Sequence, residues 1–186
     1  PVLGRYLSLV CLFWRQSNEG MLRRIDADVA PLQQTFGIAP TAALIHIKQG
    51  LSDPHNGGQA VSVLTFATPD GDSTSRLVYK PKDMGVDLAY QQALDHLNRN
   101  TALPPLRRLS IHCGDDYGYM EFVEHRLCRG EDELKLFYRN AGRLTAVLNL
   151  LGCTDCHHEN LIACGDQLVL IDTETLLEAD LPDHIG

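Results

Sequence analysis

Residues 154–172 read Thr154-Asp155-Cys156-His157-His158-Glu159-Asn160, then Leu161-Ile162-Ala163, a Gly165-Asp166 turn, Leu168-Val169-Leu170-Ile171, and Asp172. A polar loop whose aspartate and asparagine stand five residues apart thus runs straight into two short apolar stretches about a turn, the pattern of a tight hairpin. Asp172 closes that hairpin. Upstream, Glu131 to Leu151 repeats its apolar residues with helical spacing and stops at Gly152, a residue suited to a left-handed helix end. The order is long helix, polar loop, hairpin, second acid.

Working toward the N-terminus, Asp87 to about Asn98 has helical spacing, with Asp87 placed to cap it and Pro104-Pro105 beyond its end. Tyr117 to Val123 reads as a short strand within another strand pair. Val61 to Phe66 and Arg76 to Lys80 form a hairpin about Pro69-Asp70-Gly71-Asp72, and Lys80 ends its second strand. Ser52 to Gly58 is turn chemistry throughout. The opening, Arg5 to Phe36, predicts two helices with a packing role.

Composition narrows the function classes. Of 186 residues, 44% are hydrophobic and 22% charged, which suits a folded soluble domain or a segment of a larger one. The net charge is -8 and no basic block exceeds Arg23-Arg24 or Arg107-Arg108, so nucleic acid is not the expected partner. The longest apolar run, Leu7 to Trp14, is broken by Ser8 and too short to span a bilayer. No signal pattern opens the chain, so a cytoplasmic location is expected. The six cysteines are expected to be free thiols.

Phosphoryl transfer from a nucleotide asks a protein chiefly for charge and position. A strand lysine steadies the phosphates, a loop aspartate orients and deprotonates the hydroxyl, and an asparagine with a second aspartate holds Mg²⁺. Protein kinases keep the catalytic aspartate and metal-binding asparagine five residues apart in one loop, which is the spacing of Asp155 and Asn160. Asp172 follows as the second metal ligand and Lys80 as the phosphate lysine. Gly57-Gly58, ahead of the Lys80 hairpin, permits close backbone approach to an anion. Each feature alone has an ordinary structural explanation: a solvated lysine, a turn, a strand exit. Their order carries the inference.

The segments Ser52–Gly58, Leu77–Lys82, Tyr117–Val123, Thr154–Asn160 and Leu170–Thr175 resemble the dehydratase domain of class II, LanM-type lanthipeptide synthetases, and the resemblance covers nearly the whole chain. It implies ATP- and Mg²⁺-dependent phosphorylation of Ser and Thr in a leader-bearing precursor peptide, then phosphate elimination to dehydroalanine or dehydrobutyrine. By the same resemblance, Asp155 is the catalytic aspartate and His157 its loop partner in elimination or phosphate positioning. Asn160 and Asp172 are the Mg²⁺ ligands and Lys80 the phosphate lysine. Asp53 and His55 are the polar pair of the preceding turn. Met120, Glu121, Phe122 and Val123 form the hinge beside adenine.

The fold expected is α+β: a helical segment over residues 1–50, a kinase-like small lobe with an antiparallel sheet over 51–125, and the start of a large lobe with catalytic loop and metal hairpin over 126–186. All three belong to one dehydratase domain, expected to be truncated and inactive alone. Its remainder and a C-terminal zinc cyclase are expected in the full-length protein. One departure from protein kinases is plain: the helix Asp87–Asn98 holds no glutamate to pair with the lysine, only Asp95.

Other readings stay open at this point. The chain fits a catalytically silent nucleotide- or peptide-binding module. Cys153-Thr154-Asp155-Cys156-His157 matches a haem-attachment pattern, and Cys153, Cys156, His157, His158 and Cys164 are candidate zinc ligands without a clean second pair.

Overall fold

The computed structural model describes residues 2–52 and 57–177. The architecture is α+β, divided into two compact units, one of Pro1–Met84 with Ser110–Phe122, the other of Gly85–Leu109 with Val123–Gly186.

In the first unit, α1 (Val2–Ala27) and α2 (Val29–Phe36) realise the helical opening. Five strands follow: β1 (Ala43–Lys48), β2 (Ser62–Ala67), β3 (Thr74–Lys80), β4 (Ile111–Cys113) and β5 (Gly118–Glu121). They form one sheet in the order β1-β2-β3-β5-β4 with every neighbour antiparallel, an arrangement compatible with a kinase-like small lobe. The β2–β3 hairpin turns where the Pro69–Asp72 chemistry places it, with Thr68 N–H bonded to Ser73 C=O at 3.0 Å. Strand β1 has no counterpart in the sequence reading. It lies at the sheet edge with Ile45 exposed and a bulge between Leu44 and His46, so it lacks the clean alternation that would have flagged it.

Helical spacing sets Met21, Ile25 and Leu32 against Leu64, Phe66, Leu77 and Tyr119 of the sheet. Leu64 and Tyr119 are wholly buried. Along one edge of this core runs a polar seam. Arg24 donates to Tyr79 Oη and Asp116 at 2.7 Å and lies over the Tyr117 ring at 4.4 Å. Asp28 accepts from Tyr117 Oη at 2.7 Å and Tyr119 Oη at 3.1 Å. Such partners are what buried phenols require. The first half of α1 differs: Val2, Leu3, Tyr6, Leu7 and Trp14 are exposed. Among the described residues, no helix is long and apolar enough to cross a membrane.

The second unit holds α3 (Gly85–Asn100), α4 (Glu131–Leu150), β6 (Leu161–Cys164) and β7 (Gln167–Leu170), the last two an antiparallel hairpin. Tyr90 and Leu94 of α3, Leu144 and Leu148 of α4, and Leu106, Leu170 and Leu176 make its core. Asp87 is not the cap of α3. The helix begins at Gly85, which leaves Asp87 inside the first turn, where it is buried and its charge favours the helix N-terminus. Asp95 pairs with Arg99 and Arg108 of the same unit. From the last turn of α3, the Asn98 side chain donates to Leu106 C=O and accepts from Leu106 N–H, both at 2.8 Å, which holds the segment containing Pro104-Pro105.

Candidate active site

The polar loop at 153–160 starts from a defined helix end. Gly152 takes φ 66°, Gly152 N–H bonds Asn149 C=O at 3.2 Å, and Cys153 N–H bonds Leu148 C=O at 2.9 Å. This is the Schellman pair of bonds, which satisfies the last carbonyls of α4 and fixes the direction in which the chain leaves it. An L side chain at that φ is disfavoured, which accounts for glycine there.

Inside the loop, Asn160 Nδ2 donates to both Asp155 C=O and Asp155 Oδ2 at 3.0 Å. His157 Nε2 lies 3.1 Å from Asp155 Oδ1. Its other ring nitrogen, Nδ1, accepts from Glu159 N–H at 3.2 Å. With Nδ1 an acceptor, the neutral ring carries its proton on Nε2 and donates to Asp155. The spacing of the sequence thus becomes a closed figure: Asn160 and His157 each address a different oxygen of one carboxylate.

The hairpin ties Asp172 to the same figure. The register Leu161↔Leu170 extends by one step, so that Ile171 N–H bonds Asn160 C=O at 2.9 Å. Asp172 therefore directly follows the residue whose N–H bonds Asn160. Farther on, Thr175 Oγ1 accepts from Asp155 N–H at 3.1 Å, and Leu177 N–H bonds Leu151 C=O at 2.9 Å. Thr175 was not singled out from sequence; a threonine three residues beyond an acid carries no signal until the chain has folded back. Thr173 is buried with its hydroxyl unpaired among the described residues.

Lys80 closes β3, buried, in register with Gly118 of β5. It belongs to the first unit, whereas Asp155, His157, Asn160 and Asp172 belong to the second. Gly57 and Gly58, at φ 80° and 89°, lie where an added Cβ would meet Phe13 of α1. Asp53 and His55 lie outside the described residues. Met120 and Glu121 end β5, Met120 and Val123 are buried, and the chain passes from the first unit to the second between Phe122 and Val123.

One expectation is corrected. Cys153 and Cys156 are not free thiols: their Sγ atoms are joined, with Cα atoms 6.4 Å apart. A sequence separation of three lets the turn after α4 bring them together. Thiols joined to each other are not available for haem attachment. Among the described residues, no three His, Cys, Asp or Glu side chains gather as a metal site.

Comparison with known proteins adds the family. The family described as "Domain of unknown function (DUF4135)" matches residues 1–185. The lacticin 481/lactococcin biosynthesis protein LcnDR2 of Lactococcus lactis subsp. lactis is 29% identical over 133 residues, which make up 67% of this chain and 14% of that protein. The chain therefore spans only a small part of that relative's length. Matched almost from end to end, the chain belongs to the DUF4135 family, a domain associated with LanM-type lanthipeptide synthetases.

Proposed function

We propose that this chain is the nucleotide-handling part of a cytoplasmic lanthipeptide dehydratase, which phosphorylates Ser and Thr of a leader-bearing precursor peptide from ATP and then eliminates the phosphate. The relative's part in lacticin biosynthesis supports peptide modification in general. The phosphotransfer reading rests on one observation: a carboxylate, Asp155, whose two oxygens are held by His157 and Asn160 in a loop bonded directly to the strand that delivers Asp172.

In this reading Asp155 accepts the proton of the substrate hydroxyl as its oxygen attacks the terminal phosphorus. His157 orients the carboxylate through Nε2–H and assists the later elimination. Lys80 offers its ammonium to the transferred phosphate. A serine hydroxyl is a poor leaving group and its phosphate a good one, so when a base takes the α-proton the Cβ–O bond breaks, phosphate leaves with the electron pair, and the alkene remains.

The donors fit magnesium. Asn160 has its amide nitrogen engaged by Asp155, which leaves Oδ1 as the amide's acceptor, and Asp172 adds a carboxylate. An all-oxygen set with few protein ligands is what Mg²⁺ takes beside phosphate. Bound there, the ion would neutralise charge on the phosphate oxygens.

The test uses the full natural polypeptide that carries residues 1–186, with ATP, Mg²⁺ and precursor peptide, read by mass spectrometry. Water should be lost from the peptide with the native sequence. The Asp155→Ala variant should leave the peptide unmodified. Full dehydration by that variant would overturn the assignment.

A further inference from the structure

The phosphotransfer reading leaves the two joined sulfurs of the loop without a task. Their position is specific. Cys153 is anchored by its N–H to Leu148 C=O at 2.9 Å, as part of the end of α4, so one side of the bridge is fixed. Cys156 immediately follows Asp155, so the bridge closes a small ring around Thr154 and Asp155. Cys153 Sγ also lies 3.8 Å from Thr175 Oγ1, the atom that accepts the Asp155 N–H. Both cysteines are half-buried against the core of the second unit, while Asp155, His157, His158 and Glu159 around them are exposed. A small thiol reagent can therefore reach this edge.

We infer that Cys153 and Cys156 are a reversible dithiol–disulfide couple that regulates Asp155, a role that rests on the reading of Asp155 as the general base. In the joined form both carboxylate oxygens are engaged inside the loop, Oδ1 by His157 and Oδ2 by Asn160, and the ring restricts the backbone that could turn the carboxylate outward. Reduction removes the ring and gives Thr154 and Asp155 back their backbone freedom. The joined form is the less active one.

The chemistry is thiol–disulfide exchange with a low-molecular-weight disulfide. One protein thiolate attacks a sulfur of the small disulfide and expels a small thiol, and the second protein thiolate then displaces the other from the mixed disulfide. The protein loses two protons and two electrons, and the small disulfide gains them as two thiols. A dithiol reductant reverses the process.

The experiment takes the full natural polypeptide through glutathione disulfide or dithiothreitol, then iodoacetamide, digestion and mass spectrometry. After oxidation, the peptide containing Cys153 and Cys156 should carry no alkyl group and lack a pair of hydrogens. After reduction, both cysteines should be alkylated. Amide exchange over 154–160 should be slower in the oxidised protein, and dehydration of the precursor several-fold slower and restored by reduction. A Cys156→Ser variant should keep the reduced-form rate under both treatments. Full alkylation of both cysteines after glutathione disulfide, or equal exchange and equal rates in the two states, overturns the couple. Absence of dehydration in both states would count against the dehydratase reading, while alkylation and amide exchange would still decide whether the couple exists and holds the loop.

Discussion

Two turns in this chain carry the residues first associated with phosphate, and they are built differently. At 57–58 a pair of glycines at positive φ lies against Phe13 of α1, in backbone conformations that glycine permits. At 153–160 the loop is defined by bonds: the helix end at Gly152, the Asn160 and His157 contacts to Asp155, the Thr175 acceptor and the register with β7. A loop that covers phosphate by backbone approach needs room, whereas a base must meet its proton within a few tenths of an ångström. The second turn has the means to meet that demand.

Removing Asn160 should break this contrast most severely. Asn160→Ala deletes the donor to Asp155 and the amide oxygen assigned to Mg²⁺ together. The dehydration rate of the full polypeptide should fall by about 10²–10⁴-fold, the range for a mispositioned general base, and the Mg²⁺ concentration for half-maximal rate should rise. An unchanged Mg²⁺ dependence would confine Asn160 to holding the loop.

Thr175→Val comes next. It keeps the shape of the side chain but removes the acceptor of Asp155 N–H. Because the loop keeps its other ties, the loss should be about tenfold in kcat, with KM for ATP unchanged, equivalent to roughly 1.4 kcal/mol. A change in KM alone would mean that Thr175 acts on nucleotide binding and not on Asp155.

Gly152→Ala probes the foundation of the loop. Ala at φ 66° should cost about 1–2 kcal/mol, although an added Cβ meets no atom within 4 Å. Chemical denaturation should show a lower midpoint at unchanged slope. No loss of stability would mean that the loop reaches its conformation without the Schellman turn.

These elements differ in how far the sequence exposed them. Helix α4, the β6–β7 hairpin and the β2–β3 hairpin were legible because periodicity and turn residues act over short spans, and each element follows its own local signal. The Asp155–Asn160 spacing was legible for the same reason. Strand β1 was not, because an edge strand with exposed Ile45 and a bulge at 44–46 buries too little to impose alternation. Helix α3 starts three residues earlier than a cap at Asp87 implies, since a buried Asp87 in the first turn looks in sequence like a cap. Thr175 and the Cys153–Cys156 bridge were invisible for another reason: both depend on where the chain after Ile171 and the turn after α4 return in space.

The smallest expected effect lies away from both turns, in the seam of the first unit. Burial, and then the hydrogen bond to Asp28, push the Tyr117 hydroxyl up from 10.0 to about 12. Tyr79 and Tyr119 are raised as well, each mainly by burial. The unfolded chain therefore sheds these protons near pH 10 while the folded one retains them, and stability falls as pH climbs from about 10 through about 12. Below pH 10 the contribution is fully present, because both states are then protonated. Tyr117→Phe removes one of these groups, so the denaturation midpoint should start lower, for want of the Asp28 bond, and fall less steeply with pH. If the variant instead follows the same slope as the native protein, the alkaline sensitivity belongs to Tyr79 and Tyr119, and the seam owes its pH response to depth of burial and not to the Asp28 contact with Tyr117.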